Sequence, residues 1–218
     1  MKKIYFPDID LENVKGVLID LDDTLYPFDK PERKALEKTY RKYKKVLNVP
    51  FKQFLEEYHA EWDVSFSKLG NVPSAHHRYM IFLHILEKKK VPQAFLWASD
   101  MHNTFFRTAF HYMKPDKKAL LFLKECRVRK IPVCIVTDLF AMIQIQKLRA
   151  LKMLPYIDFI VSNDEVGADK PHPSVFETAL EKMGLAREDV IMVGDQPVKD
   201  IDGAAALNIK TYRVSGIK

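Results

Sequence analysis

Apolar residues recur along this chain in two rhythms. One is a nearly unbroken run that stops at a polar cluster. "VKGVLID" (14–20) stops at Asp20, Asp22 and Asp23, and "IPVCIVTD" (131–138), "YIDFIVSND" (156–164) and "DVIMVGDQ" (189–196) have the same form. "IKTYRV" (209–214) is a shorter β-branched version. Runs without polar alternation are buried on both faces, so they predict strands of a parallel sheet covered by helices. The second rhythm is helical. "DKKALLFLKECRVRK" (116–130) sets Ala119, Leu120, Leu123 and Cys126 on one face. "PSVFETALEKMG" (173–184) starts on Pro173, carries a stripe of Val175, Phe176, Ala179, Leu180 and Met183, and stops at Gly184. Strand, helix and strand in repetition over 115–218 predict an α/β fold, a Rossmann-like open parallel sheet with right-handed crossovers.

Residues 30–113 keep only the helical rhythm. "KPERKALEKTYRKYKKVL" spaces Leu36, Tyr40, Tyr43 and Leu47 on one face, and "SAHHRYMIFLHILEKKK" and "QAFLWASDMHNTFFRTAFHYM" continue in that style. The predicted organisation is therefore an α/β core from 1–29 and 114–218, with an all-helical insertion over 30–113. An insertion at the carboxyl end of a sheet strand sits where open α/β folds bind ligands, so it reads as a cap.

The polar clusters carry the candidate chemistry. Asp20, Asp22, Asp23 and Thr24 follow the first strand, Thr137 and Asp138 the second, Asp164 and Lys170 the third, and Asp195 and Asp200 the fourth. In a parallel sheet these ends share one edge, so distant residues converge. Acids at the end of a buried strand are costly unless balanced. Mg²⁺, which prefers hard oxygen ligands, and Lys170 are the candidates to balance them. Asp23 reads as a turn residue and Asp164 as structural.

"DLDDT", "VTD", "DKPHPSVF" and "VGDQPVKD", in this order and each after an apolar strand, resemble the four signatures of the haloacid dehalogenase-like hydrolases. The resemblance runs from residue 14 to 214. It implies a Mg²⁺-dependent phosphatase that hydrolyses a small phosphorylated metabolite, a sugar phosphate or nucleotide monophosphate, through an aspartyl-phosphate. Asp20 would be the nucleophile and Asp22 the general acid and base. The Thr137 hydroxyl, the Asp138 backbone N–H and Lys170 would surround the phosphoryl group. Mg²⁺ would be held by Asp20, the Asp22 backbone carbonyl and Asp195, with Asp200 a direct or water-mediated ligand. Members of the family that displace halide lack an acid at the Asp22 position, so phosphate-ester hydrolysis is favoured over a 2-haloacid dehalogenase. A non-catalytic binding or regulatory protein would commonly have lost one of these residues, and all are present.

Composition narrows the setting. The chain has 218 residues, 47% of them hydrophobic, enough for one core with an insertion. Its formal charge of +6 bears on solubility and association. The basic run from Lys30 to Lys45 reads as the solvated face of an amphipathic helix, and no helix-turn-helix or zinc-finger spacing suggests nucleic acid as a partner. Cys126 and Cys134 match no zinc or redox spacing, which suggests a reduced, cytoplasmic setting. The apolar stretch before Pro7 is too short for a signal peptide, and none approaches the roughly 20 residues that span a bilayer. "LGNVPSAHHRYM" (69–80) is the expected substrate-facing loop, offering Asn71, His76, His77 and Arg78. Tyr26 and Phe28 are expected to line the entrance.

Overall fold

A computed structural model describes residues 6–70 and 77–214. Contacts divide the chain into two compact units, Met1–Phe28 with Lys114–Lys218, and Asp29–Met113.

The second unit is helical: α1 (Asp29–Leu47), α2 (Phe51–Leu69), α3 (Arg78–Lys88) and α4 (Ala94–Tyr112). α1 buries Ala35, Leu36, Thr39, Tyr43 and Leu47, the three- and four-residue spacing of one helix face. Lys30, Arg33, Lys38, Arg41, Lys42, Lys44 and Lys45 are exposed, so the basic run is that helix's solvated side. Phe54, Tyr58, Phe82 and Phe105 fill the interior of the unit. Arg78 lies among them rather than facing a substrate. Its guanidinium pairs with Glu32 at 3.0 Å and stands 4.9 Å from the Trp62 ring and 5.1 Å from the Phe105 ring. Carboxylate and aromatic faces together offset the cost of burying the charge. Asn71 and His76 lie outside the described residues, and His77 is half-buried at the start of α3.

The first unit carries the sheet: β1 (Gly16–Ile19), α5 (Lys117–Val128), β2 (Val133–Thr137), α6 (Ala141–Ala150), β3 (Phe159–Ser162), α7 (Asn163–Val166), α8 (Pro173–Met183), β4 (Val190–Gly194), α9 (Gly203–Ala205) and β5 (Lys210–Arg213). A π-helical turn over Pro197–Asp202 precedes α9. The strand order is β3-β2-β1-β4-β5, and every pairing is parallel, as the unbroken apolar runs required. Every residue of β1, β2 and β4 is buried. Leu18, Cys134, Val136, Val161 and Met192 form one side of the core with Val175, Phe176 and Ala179 of α8. The Asp116 carboxylate caps α5 by accepting from the backbone N–H groups of Lys118 and Ala119 at 2.8 and 2.9 Å. Gly184 ends α8 in the left-handed region (φ 64°), where a side chain would be strained.

Ile19 is in register with Ile135 of β2 and with Val193 of β4. The residues just past those positions therefore reach one edge together, and that edge carries the acids. No helix among the described residues is long and apolar enough to cross a membrane.

Candidate active site

β1 ends in a tight turn. The Leu25 N–H donates to the Leu21 carbonyl at 2.9 Å and the Asp23 N–H to the Tyr26 carbonyl at 3.0 Å. Asp23 takes the left-handed conformation (φ 57°), which aspartate tolerates, and its carboxylate accepts from the Phe28 N–H at 2.8 Å. Asp23 thus shapes the turn, while Asp20 and Asp22 belong to two different clusters.

The first cluster is built on Lys170, which follows α7. Its ammonium is buried and donates to Asp20 Oδ1 at 2.7 Å, to Asp200 Oδ1 at 2.7 Å and to the Val136 carbonyl at 2.9 Å. The Lys170 backbone N–H is fixed in turn by Asp138 Oδ1 at 2.8 Å. Asp138 Oδ2 pairs with Lys199 at 2.8 Å, and the Asp138 carbonyl accepts from Asn163 at 2.8 Å. The Asp138 side chain thus orients the lysine. Asp200 is fully buried in the π-helical turn, and its Oδ2 accepts from the Gln196 N–H at 3.0 Å. Asp195 accepts from the Thr24 hydroxyl at 3.2 Å and from the Gln196 amide at 2.9 Å.

Charge in this cluster does not balance. Asp20, Asp195 and Asp200 place carboxylate oxygens within 4.8 Å of one another, and Lys170 is the ammonium bonded among them. Burial and the neighbouring Asp200 hold the Asp20 carboxyl well above its ordinary range, despite Lys170. Burial and Asp200 raise Asp195 as well. Lys170 is raised as well: burial works against its charge, but Asp20 and Asp200 outweigh it and keep it protonated. Two negative charges in excess on hard oxygens fit a divalent cation such as Mg²⁺.

Gly194 is part of the same fit. A Cβ there would stand 2.2 Å from Asp200 Oδ2 and 2.4 Å from its Cγ. Gly194→Ala is expected to push the Asp200 carboxylate out of the cluster. With the cluster read as a divalent-cation site, its affinity for Mg²⁺ by titration calorimetry should weaken by about 10- to 100-fold, the usual scale for disturbing groups that orient a metal.

The second cluster surrounds Asp22. Lys147 of α6 donates to Asp22 Oδ1 at 2.7 Å and to Oδ2 at 2.6 Å. Tyr26 donates its hydroxyl to Oδ1, and the Gln144 amide donates to Oδ2 at 3.1 Å and to the Thr137 hydroxyl. Burial pushes the Asp22 carboxyl up, but Lys147, Tyr26 and Gln144 together outweigh it and hold the pKa below the usual value. Tyr26 is fully buried, so it supports Asp22 rather than lining an entrance. Phe28 packs edge-on against it at 6.3 Å. Asp164 accepts from the Ala141 N–H at 3.0 Å and so anchors the start of α6.

The family model described as haloacid dehalogenase-like hydrolase matches residues 17–214, which takes in both clusters and the helical unit. The chain belongs to that family. Among relatives of this hydrolase, the ribulose-1,5-bisphosphate 5-phosphatase of Halopiger xanaduensis is 29% identical over 200 residues, covering 90% of this chain and 82% of that protein. The glyceraldehyde 3-phosphate phosphatase of Methanopyrus kandleri is 27% identical over 219 residues, covering 92% and 84%. Among solved structures, a 2-haloacid dehalogenase from Pseudomonas syringae superposes with a TM-score of 0.72 at 21% identity, covering 91% of this chain and 85% of that one. At that identity the likeness speaks for the fold.

Of the site residues predicted from the sequence of this hydrolase, the structure gathers Asp20, Asp138, Asp195 and Asp200 around Lys170. Asp22 and Thr137 are linked through Gln144. Gln144, Lys147 and Lys199 are not among the predicted residues. The signal for the first two is an inversion in "AMIQIQKLRA": α6 buries Gln144 and Lys147 completely or nearly so and leaves Met142 exposed. Two polar residues three apart on the buried face of a helix, while an apolar residue is left outside, are the pattern to look for.

Proposed function

We propose that this chain is a Mg²⁺-dependent phosphomonoesterase acting on a small phosphorylated metabolite through an aspartyl-phosphate on Asp20. The observation that carries the reading is Asp22: a carboxylate held by three donors, two residues from a nucleophile candidate that lies in a cluster two positive charges short. A dehalogenase needs neither the acid nor the cation, since halide leaves unprotonated. In the proposed chemistry an Asp20 oxygen attacks phosphorus, and the ester oxygen departs with a proton from Asp22. Water then attacks phosphorus, giving its proton to Asp22, and the Asp20 carboxylate is released. Lys170 neutralises charge beside the nucleophile, and the Thr137 hydroxyl and Asp138 N–H serve as donors to phosphoryl oxygens. Mg²⁺ bound by Asp20, the Asp22 carbonyl, Asp195 and Asp200 would supply positive charge against the transferring group.

The helical unit is proposed as the cap that selects the substrate. The named relatives act on phosphorylated short-chain sugars, which favours a sugar phosphate over a nucleotide. A cytoplasmic enzyme of intermediary metabolism is the corresponding setting. Purified protein should release phosphate from 4-nitrophenyl phosphate and, faster, from a member of a panel of triose and pentose phosphates. Excess chelator should reduce either rate to background, and Mg²⁺ should restore it. Halide release from a 2-haloacid without metal, with no phosphate released from any ester, would overturn the reading in favour of a dehalogenase.

A further inference from the structure

Lys147 is a buried cation of the α/β unit that the proposed chemistry leaves unused. Its side chain is 1% exposed, and burying an ammonium costs several kcal/mol unless partners answer it. It donates to both oxygens of the Asp22 carboxylate, one contact to each. The Phe28 ring lies 5.1 Å from the ammonium, closing another side with a π face. One turn earlier on α6, Gln144 reaches the same carboxylate and also Thr137. Oδ1 thus accepts from Lys147 and Tyr26, and Oδ2 from Lys147 and Gln144, which leaves the carboxylate one orientation. α6 accepts an exposed Met142 in order to present these two polar side chains inward. Local patterning that conflicts with packing is expected where a site requires it.

We propose that Lys147 is a positioning residue for proton transfer to the leaving group, acting through Asp22 with Gln144 and Tyr26 as its auxiliaries. The inference rests on the phosphatase reading and on Asp22 as the acid. As the Asp20–phosphorus bond forms, the phosphorus–ester-oxygen bond breaks and its electron pair stays on the ester oxygen. That oxygen takes the proton that the Asp22 carboxyl carries in the reacting complex, leaving Asp22 as carboxylate. Negative charge then appears on Asp22, opposite an ammonium already in place, so no group must reorganise during the step. When water attacks the aspartyl-phosphate, its proton returns to Asp22 and the electron pair of the broken bond returns to Asp20.

Such a role predicts dependence on the leaving group, which a merely structural lysine does not. An alkoxide needs a proton as it departs, whereas 4-nitrophenolate leaves without one. In Lys147→Met, kcat/KM for an alkyl phosphate such as glycerol phosphate should fall on the order of 100-fold or more, the scale of a general acid, and for 4-nitrophenyl phosphate by less than about tenfold. Asp22→Asn should show the same selectivity, and adding Lys147→Met to it should change the ratio little, because the two act as one unit. Tyr26→Phe and Gln144→Leu each remove one donor and should shift the same ratio by a smaller factor, which gives a reading even if Lys147→Met does not fold. Equal proportional losses on both esters across these variants, or no loss on either, overturn the inference while leaving the phosphatase reading intact. A wild-type protein that cleaves neither ester overturns both.

Discussion

Asp20→Asn is expected to abolish phosphate release and to raise the melting temperature of the metal-free protein. On the proposed mechanism the catalytic loss should reach at least about 10⁴-fold in kcat, since the variant lacks the proposed covalent nucleophile. The gain in stability follows from the charge count. Asp20, Asp195 and Asp200 crowd their carboxylates around Lys170, and like charges at this range work against the fold. Asparagine keeps an oxygen for the Lys170 ammonium and removes one charge from the excess. A rise of a few degrees is the expected size for about 1 kcal/mol in a chain of this length. Thermal melts in chelator check it, and a fall of several degrees would show that the cluster is not over-charged without its cation. With Mg²⁺ as the proposed cation, saturating Mg²⁺ should reverse the order, because the wild type would gain binding energy that the variant has partly lost.

The second large effect is expected at Lys170, with the opposite sign for stability. Lys170→Met removes the ammonium that Asp20, Asp200 and the Val136 carbonyl share. Breaking a buried pair by deleting one partner costs about 3–5 kcal/mol, because the remaining charge is left uncompensated. Denaturant unfolding should show this loss in the metal-free protein, and on the role proposed for Lys170 activity should fall by at least about 100-fold through lost stabilisation of the transferring charge. The double variant Asp20→Asn, Lys170→Met should recover part of the stability, since one uncompensated carboxylate is gone. Strict additivity of the two single effects would mean that the contact carries no coupling energy.

Much of the α/β unit is legible in the residues themselves. The runs ending at Ile19, Thr137, Ser162 and Gly194 lack polar alternation, and only strands packed on both faces tolerate that. Once those strands are parallel, Asp20, Thr137, Asp195 and their neighbours must share an edge. α8 announces itself by Pro173, its apolar stripe and Gly184. α6 does not, because its buried face includes Gln144 and Lys147, and a hydrophobic pattern cannot reveal a helix whose inward positions are polar. Arg78 shows the converse error. A charged residue in a loop-like stretch suggests a substrate contact, yet Glu32 and three aromatic rings, from residues far apart in the chain, draw it inside. Tyr26 likewise follows the acids in sequence, and only packing turns its hydroxyl back to Asp22.

Which groups reach the sheet edge follows from the order of residues along the chain, since the apolar run and the residue that ends each strand are local properties. How they pair is a matter of packing: Lys170 with Asp20 and Asp200, Lys147 with Asp22, Asp138 with the backbone of Lys170. Those pairings depend on side chains from separate elements meeting within 3 Å, where burial removes water and makes each partner essential to the other.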